Sequence, residues 1–260
     1  MYNMKFLEFG NSENKKIMLI HGFQVPWQVW QPQIDYFSQK YYVIVPILDG
    51  HNPIEKSTFS SVQKEAEAIE KYYIEHYGDR IFAVCGMSMG GSIASVLWAN
   101  DKLHIEKLFL DGAPLVRQNK MLTVLLVNQY ISLTHKTRQR DVKTLNMCEK
   151  SFIPKQYMQY FLEMMDAMND ETIHNGVTSV GQFQLPKNLK RDDLDVIYYH
   201  GTTLNEMVAK KSAKYLQQHY PQAKVVCLKG YSHGELVLRH PEQYIKLVEG
   251  FLEVSIASKD

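Results

Sequence analysis

The sequence predicts an α/β fold: a mostly parallel central sheet with helices on both faces and a helical cap insertion. Short apolar runs bounded by turn residues alternate with amphipathic stretches, which is typical of parallel strands joined by helices. The runs are continuously apolar, as expected for strands buried on both faces. One long stretch then departs from this alternation, because it contains helical patterns and no convincing strand.

Six buried strands and one edge strand are predicted from these apolar runs. The buried strands are placed at 16–20, 41–45, 81–85, 105–110, 195–199 and 224–228, and the edge strand at 6–9. Apolar residues at helical spacing predict helices at 59–77, 92–100, 209–219 and 241–254. Gly78 is well placed to end the first of these helices.

The insertion divides the chain into two parts. Residues 1–114 and 191–260 are predicted to form the core, and residues 115–190 a cap or lid with helices at 121–133 and 154–169. The insertion carries half of the 12 methionines and several aromatic residues. A stretch with so many large apolar side chains is unlike a loose surface excursion, so it is predicted to pack over the sheet.

Composition and charge exclude several classes of function. The 29 Lys and Arg nearly balance the 28 Asp and Glu, so no field directs the chain to nucleic acid or an anionic membrane. No run reaches the ~20 apolar residues that cross a bilayer. Three cysteines without CxxC spacing indicate a reducing, cytoplasmic location and no thiolate metal site. No phosphate-binding, dinucleotide-binding or HExxH pattern is present, so no cofactor and no metal are expected; the sequence specifies no oligomeric state.

The motif Gly86-Met-Ser88-Met-Gly90 predicts a nucleophilic serine. It follows the predicted strand 81–85 directly and precedes a small-residue helix, which is the setting of a nucleophile elbow. Glycines two residues to either side remove Cβ atoms that would clash in so tight a turn. The turn raises the Ser88 hydroxyl above the carboxyl edge of the sheet.

A serine needs a base to accept its proton, and His233 is the best candidate among ten histidines. It follows the last predicted strand and therefore lies at the same sheet edge as Ser88. Gly230 and Gly234 give its loop the freedom to present an imidazole. His200, at the end of the preceding strand, is its closest rival.

With Ser88 and His233 in place, the chain resembles the α/β-hydrolase family over nearly its whole length. His21-Gly-Phe23 looks like that family's oxyanion loop, and the segment 49–52, Asp-Gly-His-Asn, resembles its next loop. The resemblance implies that the backbone N–H groups of Phe23 and Met89 stabilise a tetrahedral oxyanion. It also implies that His21 supports its own loop rather than acting as a base.

The acid that would orient His233 has two candidates. The family places it a few residues beyond a glycine after the next-to-last strand, but the position where an aspartate often stands is here Leu204. Glu206 is the nearest carboxylate in that loop and is preferred. Asp111, at the end of the strand 105–110, is the alternative.

The sequence therefore predicts a cofactor-free serine hydrolase acting on a small or medium apolar ester. Residues proposed to line the substrate pocket are Trp27, Met121, Tyr157 and Phe161, although packing between helices and sheet is the favoured explanation for any single Met or Phe of the insertion. Two other functions remain open. The same fold also supports carbon–carbon bond hydrolysis or lyase chemistry, and Leu204 at the usual acid position allows a decayed, ligand-binding protein.

Overall fold

A computed structural model describes residues 4–189 and 193–253, which form one seven-stranded sheet in the order β1-β3-β2-β4-β5-β6-β7. β1 pairs antiparallel with β3, and every other neighbouring pair is parallel. The strands are β1 (Lys5–Phe9), β2 (Lys16–Ile20), β3 (Tyr42–Ile47), β4 (Arg80–Met87), β5 (His104–Asp111), β6 (Asp195–Gly201) and β7 (Lys224–Leu228).

The predicted fold class is confirmed, and all seven predicted strands are present. β1 lies at the edge of the sheet, as its weak pattern indicated. β4, β5 and β6 extend one to two residues beyond the apolar runs at their carboxyl ends. Most of those extra residues are small or polar, but each has a parallel partner in at least one neighbouring strand, which continues the pairing.

The described part of the core contains the α-helices α1 (Gln31–Phe37), α2 (Val62–Tyr77), α3 (Met89–Asn100), α8 (Met207–His219), α9 (Glu235–Arg239) and α10 (Pro241–Glu253). The four that were predicted, α2, α3, α8 and α10, lie within a few residues of their predicted bounds. α2 begins later than predicted because the Ser61 side chain accepts a hydrogen bond from the Lys64 N–H and caps it. The short helices α1 and α9 were not predicted, since fewer than two turns show little periodicity. Val254, the predicted end of α10, lies outside the described residues.

Four helices occupy the segment between β5 and β6. They are α4 (Lys120–Arg138), α5 (Val142–Ser151), α6 (Met158–Ala167) and α7 (Asp170–Gln182). Within the described part of this segment, residues 115–189, no strand is formed. Its predicted end at Lys190, and the domain boundary there, lie outside the described residues. None of the helices that the structure describes is long and apolar enough to cross a bilayer.

Two apolar clusters cover the faces of the sheet. One packs α2, α3 and α8 on the sheet and includes Ile69 and Leu97. The other packs α1, α9 and α10 on the opposite face and includes Trp30 and Tyr244. The insertion joins the second cluster through Phe161, Met164 and Met165 among others. The carboxyl edge of the parallel strands, where ligands bind in open α/β sheets, is left to the loops and the insertion.

Candidate active site

Ser88 occupies a sharp turn between β4 and α3. Its backbone has φ +51° and ψ −119°, in the left-handed region that non-glycine residues rarely adopt. The turn is held from both sides. The Ser88 N–H donates to the Asp111 carbonyl at 2.8 Å, and the Ser88 carbonyl accepts from the Gly91 N–H at 2.9 Å. This strain presents a half-buried hydroxyl at the start of a helix, where free N–H groups favour negative charge.

The glycines around Ser88 are required by close backbone approach. A Cβ atom at Gly86 would lie 2.5 Å from the Gly90 carbonyl oxygen. One at Gly90 would lie 2.2 Å from the Ile20 carbonyl oxygen, at the end of β2. The motif therefore allows α3 to begin directly against β2 and β4.

Ser88, His233 and Glu206 form a continuous hydrogen-bonded chain. The Ser88 Oγ and the His233 Nε2 are 2.8 Å apart, and the His233 Nδ1 and the Glu206 Oε1 are also 2.8 Å apart. The Nδ1–H donates to the carboxylate, which leaves Nε2 free to accept the serine proton. Residues 145 positions apart in the sequence thus meet at one edge of the sheet.

Glu206 reaches the imidazole because its loop turns back on itself. Leu204–Glu206 forms a single turn of 3₁₀ helix ahead of α8. The turn leaves Leu204 exposed and buries Glu206, whose Oε2 accepts the Gly201 N–H at 2.8 Å. The other oxygen is then directed at His233.

The pKa values of the pair move apart. Burial alone would raise the pKa of Glu206, but its hydrogen bond and charge interaction with His233 lower it overall. Burial alone would lower the pKa of His233, but the bond to Glu206 and its charge raise it above 6.5. An imidazole of raised basicity beside a serine is suited to accept the serine proton.

The two other candidates from the sequence lie nearby. Asp111 is buried at the end of β5, and its Oδ2 has no hydrogen-bond partner among the described residues. Burial raises its pKa to about 7; the charge of His233 opposes this, and that of Glu206 adds to it. The His200 ring instead contacts the Gly201 carbonyl at 2.8 Å.

The loop after β2 lies against Ser88. A Cβ atom at Gly22 would be 3.4 Å from the Ser88 Cβ, so the following residue, Phe23, begins next to the serine. His21 braces this loop: its Nδ1 contacts the Gly22 carbonyl at 2.9 Å, and its Nε2 accepts from the Leu48 N–H at 3.2 Å. His21, which the resemblance assigned to the support of its own loop, thus makes one hydrogen bond within that loop and one to the backbone after β3.

His51 braces the same loop one residue further on, which sequence reasoning did not anticipate. Its Nε2 accepts the Gln24 N–H at 3.1 Å, and its Nδ1 contacts the Asp49 carbonyl at 3.0 Å. Its ring centroid lies 5.1 Å from that of His21. The only local signal for it was the resemblance of the segment 49–52 to a family loop.

Both buried histidines make the fold sensitive to acid. Burial lowers the pKa of His21 to about 4, and burial with the neighbouring His21 lowers that of His51 to about 3. In the unfolded chain these two histidines bind protons near pH 6.5, whereas in the folded chain they do so only near pH 4 and pH 3. The stability that is present above pH 6.5 is therefore lost as the pH falls from 6.5 towards 3. For His21 alone, a pKa lowered from 6.5 to about 4 corresponds to ~3 kcal/mol of unfolding free energy. We expect the free energy of unfolding, measured with urea from pH 7 to 4, to fall accordingly.

A pair of variants isolates that effect. His51→Gln removes one of the two titrating groups and is expected to reduce the slope of stability against pH. His76→Gln replaces an exposed histidine on α2 and is expected to leave it unchanged. Equal slopes in all three proteins would contradict the assignment.

A cavity of about 790 Å³ opens beside His233. It lies between the end of α5 and the loops after β6 and β7, and is lined by Lys150, Ser151, Thr203, Leu204, Asn205, Ser232, His233, Glu235 and Arg239. Two exposed cations, Lys150 and Arg239, stand at its edge. The sequence did not single out either of them, since isolated charges near a helix end are common on any surface.

The residues proposed for the substrate pocket lie elsewhere. Met121 is 76% exposed, because α4 turns Thr123 and Val127 inward instead, so Met121 is not a wall of an enclosed pocket. Phe161 and Tyr157 are buried in the second apolar cluster, which agrees with packing between helices and sheet rather than with lining a pocket. Among these residues, Trp27 alone lines a described cavity, one of about 570 Å³ whose lining includes neither Ser88 nor His233.

Known proteins share this architecture, although no protein-family model matches the chain. A structure from Desulfitobacterium hafniense described as an alpha/beta hydrolase family protein superposes with a TM-score of 0.76 at 19% identity, covering 96% of this chain and 100% of that one. The chain has the α/β-hydrolase fold. It is equally similar (TM-score 0.76, 16% identity) to a carboxylesterase structure from Nitrososphaera gargenis, with 96% and 93% of the two chains covered.

A curated relative is similar in sequence over nearly the whole chain. A pimeloyl-[acyl-carrier protein] methyl ester esterase of Legionella pneumophila (strain Corby) is 24% identical over 244 residues, which are 91% of this α/β-hydrolase and 95% of the relative. The homologues are named esterases or hydrolases, which supports a hydrolase of the carboxylesterase type.

Proposed function

We propose that this α/β-hydrolase is a serine carboxylesterase that cleaves a small or medium apolar ester through an acyl-enzyme at Ser88. The observation that carries the proposal is the chain of two 2.8 Å hydrogen bonds from Ser88 through His233 to Glu206. A nucleophile, a base and an orienting carboxylate within bonding distance are the requirements of covalent acyl transfer.

The reaction proceeds in two halves. Ser88 Oγ forms a bond to the ester carbonyl carbon while its proton passes to His233 Nε2. The resulting oxyanion accepts hydrogen bonds from the backbone N–H groups of Phe23 and Met89. The C–O bond to the alcohol breaks, and the alcohol takes the proton from Nε2. Water then attacks the acyl-enzyme, again giving a proton to His233, and the acid leaves as Ser88 recovers its proton.

The helical segment between β5 and β6 is proposed as the cap of this site. Gln24 Nε2 donates to the Thr134 Oγ1 of α4 at 2.8 Å, and the Phe23 ring contacts that of Tyr130 at 5.6 Å. Gly176 of α7 packs so closely on the Phe23 ring that a Cβ atom there would lie 2.6 Å away. The segment thus rests on the loop beside Ser88 and helps to exclude water from it.

A fluorophosphonate probe tests the proposal directly. We expect the wild-type protein to be labelled covalently and Ser88→Ala not to be labelled, because only an activated serine displaces fluoride at a useful rate. Ser232→Ala is the matched control, since Ser232 lines the cavity beside His233 and its hydroxyl accepts a hydrogen bond from Thr203 at 3.2 Å. A wild-type protein that neither reacts with the probe nor hydrolyses p-nitrophenyl esters of two to eight carbons would contradict the proposal and favour a decayed, ligand-binding protein.

The curated relatives suggest a second substrate to compare. Four of them are named pimeloyl-[acyl-carrier protein] methyl ester esterases. Lys150 and Arg239 line the cavity beside His233 together with Glu235, so a carrier-linked acyl chain would meet both charges there. Hydrolysis of a pimeloyl-carrier-protein methyl ester at a higher kcat/KM than of methyl heptanoate would favour this class, and the reverse order would favour the apolar ester. Carbon–carbon bond hydrolysis would be indicated by probe labelling without hydrolysis of any ester.

A further inference from the structure

One buried carboxyl beside the site has no use in the mechanism above. Asp111 is 5% exposed, and its Oδ2 lacks a hydrogen-bond partner among the described residues. A buried polar atom left unpaired costs ~1–3 kcal/mol, so its presence needs an explanation.

The backbone around Asp111 is built into the site. In β5, Asp111 lies in register with Met87, the residue before the nucleophile, and its carbonyl accepts the Ser88 N–H. The next residue, Gly112, has φ +63°, and a Cβ atom there would lie 2.9 Å from Cε1 and 3.0 Å from Nδ1 of His233. The Asp111–Gly112 peptide is therefore pressed against the imidazole on the side that faces Glu206, whose Oε1 would be 3.7 Å from the same Cβ.

Two carboxyl groups thus act on one imidazole, Glu206 through a hydrogen bond and Asp111 through its charge. Two like charges that act on each other in a buried site do not both ionise freely, and the group with better hydrogen bonds holds the charge. Glu206 has two donors, the His233 Nδ1–H and the Gly201 N–H, whereas the Asp111 Oδ2 has none among the described residues. Glu206 therefore carries the charge and Asp111 keeps its proton to a higher pH than an ordinary aspartate, in agreement with the pKa of Asp111 raised to about 7.

The other titratable groups near Asp111 do not change this balance. They are the hydroxyls of Tyr244, on α10, and Tyr198, on β6. Burial raises the pKa of each well above its ordinary value, so both stay neutral. The charges that act on Asp111 come from His233 and Glu206.

We propose that Asp111 is a second positioning acid for His233, protonated while Glu206 is charged and able to replace its charge when Glu206 is neutral. The exchange needs no further reactant. When the Glu206 charge is absent, Asp111 releases its proton to water, and its carboxylate stabilises the imidazolium formed as Ser88 attacks. This inference rests on the proposed serine chemistry, and it adds to it a carboxyl that no step yet uses.

A double-mutant cycle with isosteric amides tests the proposal. We expect Glu206→Gln to lose no more than ~10²-fold in kcat for p-nitrophenyl ester hydrolysis at pH 8, because Asp111 then ionises. Glu206→Gln/Asp111→Asn is expected to lose ~10⁴-fold, the loss typical of a site with no acid. The control pair is Glu206→Gln/Asp35→Asn, which removes an exposed carboxylate on α1 and is expected to match Glu206→Gln.

The pH profile separates an electrostatic role from a structural one. In Glu206→Gln we expect kcat to rise with pH as Asp111 ionises, and in the double variant we expect no such rise. The dependence of kcat on pH in Glu206→Gln tests the role of Asp111 by itself, so the test holds even if the double variant does not fold. Loss of ~10⁴-fold in Glu206→Gln at every pH from 6 to 9 would overturn the inference while leaving the proposed function intact. Absence of wild-type labelling and hydrolysis would instead contradict the proposed function.

Discussion

Replacing His233 by alanine is expected to lower kcat for ester hydrolysis by about 10⁶-fold, or ~8 kcal/mol of barrier. Ser88 would then have no group to accept its proton, since the His233 Nε2 is its hydrogen-bond partner at 2.8 Å. Tm should fall as well, because Glu206, whose side chain is 2% exposed, then loses the partner of its 2.8 Å ion pair. Stopped assays at high enzyme concentration, together with thermal unfolding, measure both quantities.

A matched histidine and a chemical rescue give this prediction its control. His174→Ala removes an exposed imidazole on α7 and is expected to leave kcat unchanged. Added imidazole can enter the cavity beside position 233, so partial recovery of His233→Ala is expected and none of Ser88→Ala. If His233→Ala retained more than about a hundredth of wild-type turnover, another base would have to act and the proposed mechanism would be wrong.

Gly90→Ala is expected to have the largest effect on stability. Its new Cβ would lie 2.2 Å from the Ile20 carbonyl oxygen and 2.6 Å from that of His21, so β2 and α3 must separate. Overpacking of this kind costs about 1–3 kcal/mol or more, which lowers Tm by about 2–12 °C in a chain of this size. The displaced carbonyls immediately precede Gly22 and Phe23, so we also expect a fall in kcat of ~10²-fold from the misplaced oxyanion loop.

The same substitution at Gly250 is the control for that prediction. Gly250 also lies in a helix, α10, and an added Cβ there meets nothing within 4 Å. Alanine is favoured over glycine inside a helix by about 0.5–1 kcal/mol, so Gly250→Ala is expected to raise Tm slightly. Equal unfolding temperatures for the two variants, measured by circular dichroism, would show that the approach of α3 to β2 is not tight.

The strands and the turn at Ser88 were predictable because their causes are local. Continuous apolar runs mark strands that are buried on both faces, and glycine spacing in Gly86–Gly90 marks a turn that only small residues permit. Parallel strands share one carboxyl edge, so the positions of Ser88 and His233 after their strands were enough to predict that they meet.

The acid could not be decided in the same way. Glu206 follows β6 and Asp111 ends β5 at the same edge of the sheet, and both are buried near His233. What separates them is one turn of 3₁₀ helix at Leu204–Glu206, which points the Glu206 carboxylate at both the Gly201 N–H and the imidazole. A three-residue turn leaves almost no periodic signal in a sequence.

The pocket residues illustrate the other limit. The methionines and aromatic residues of 115–190 predict that this segment is buried. Burial against the core and burial against a ligand, however, give the same hydrophobic pattern in a sequence. Phe161 packs in the core and Met121 faces outward, whereas the cavity beside His233 is edged by Lys150 and Arg239.

By itself the sequence determined the sheet, its elbow and the edge where chemistry is placed, because these follow from local periodicity and sterics. Only the tertiary structure decided which acid meets the imidazole and where space remains for a ligand, because both depend on how distant segments pack.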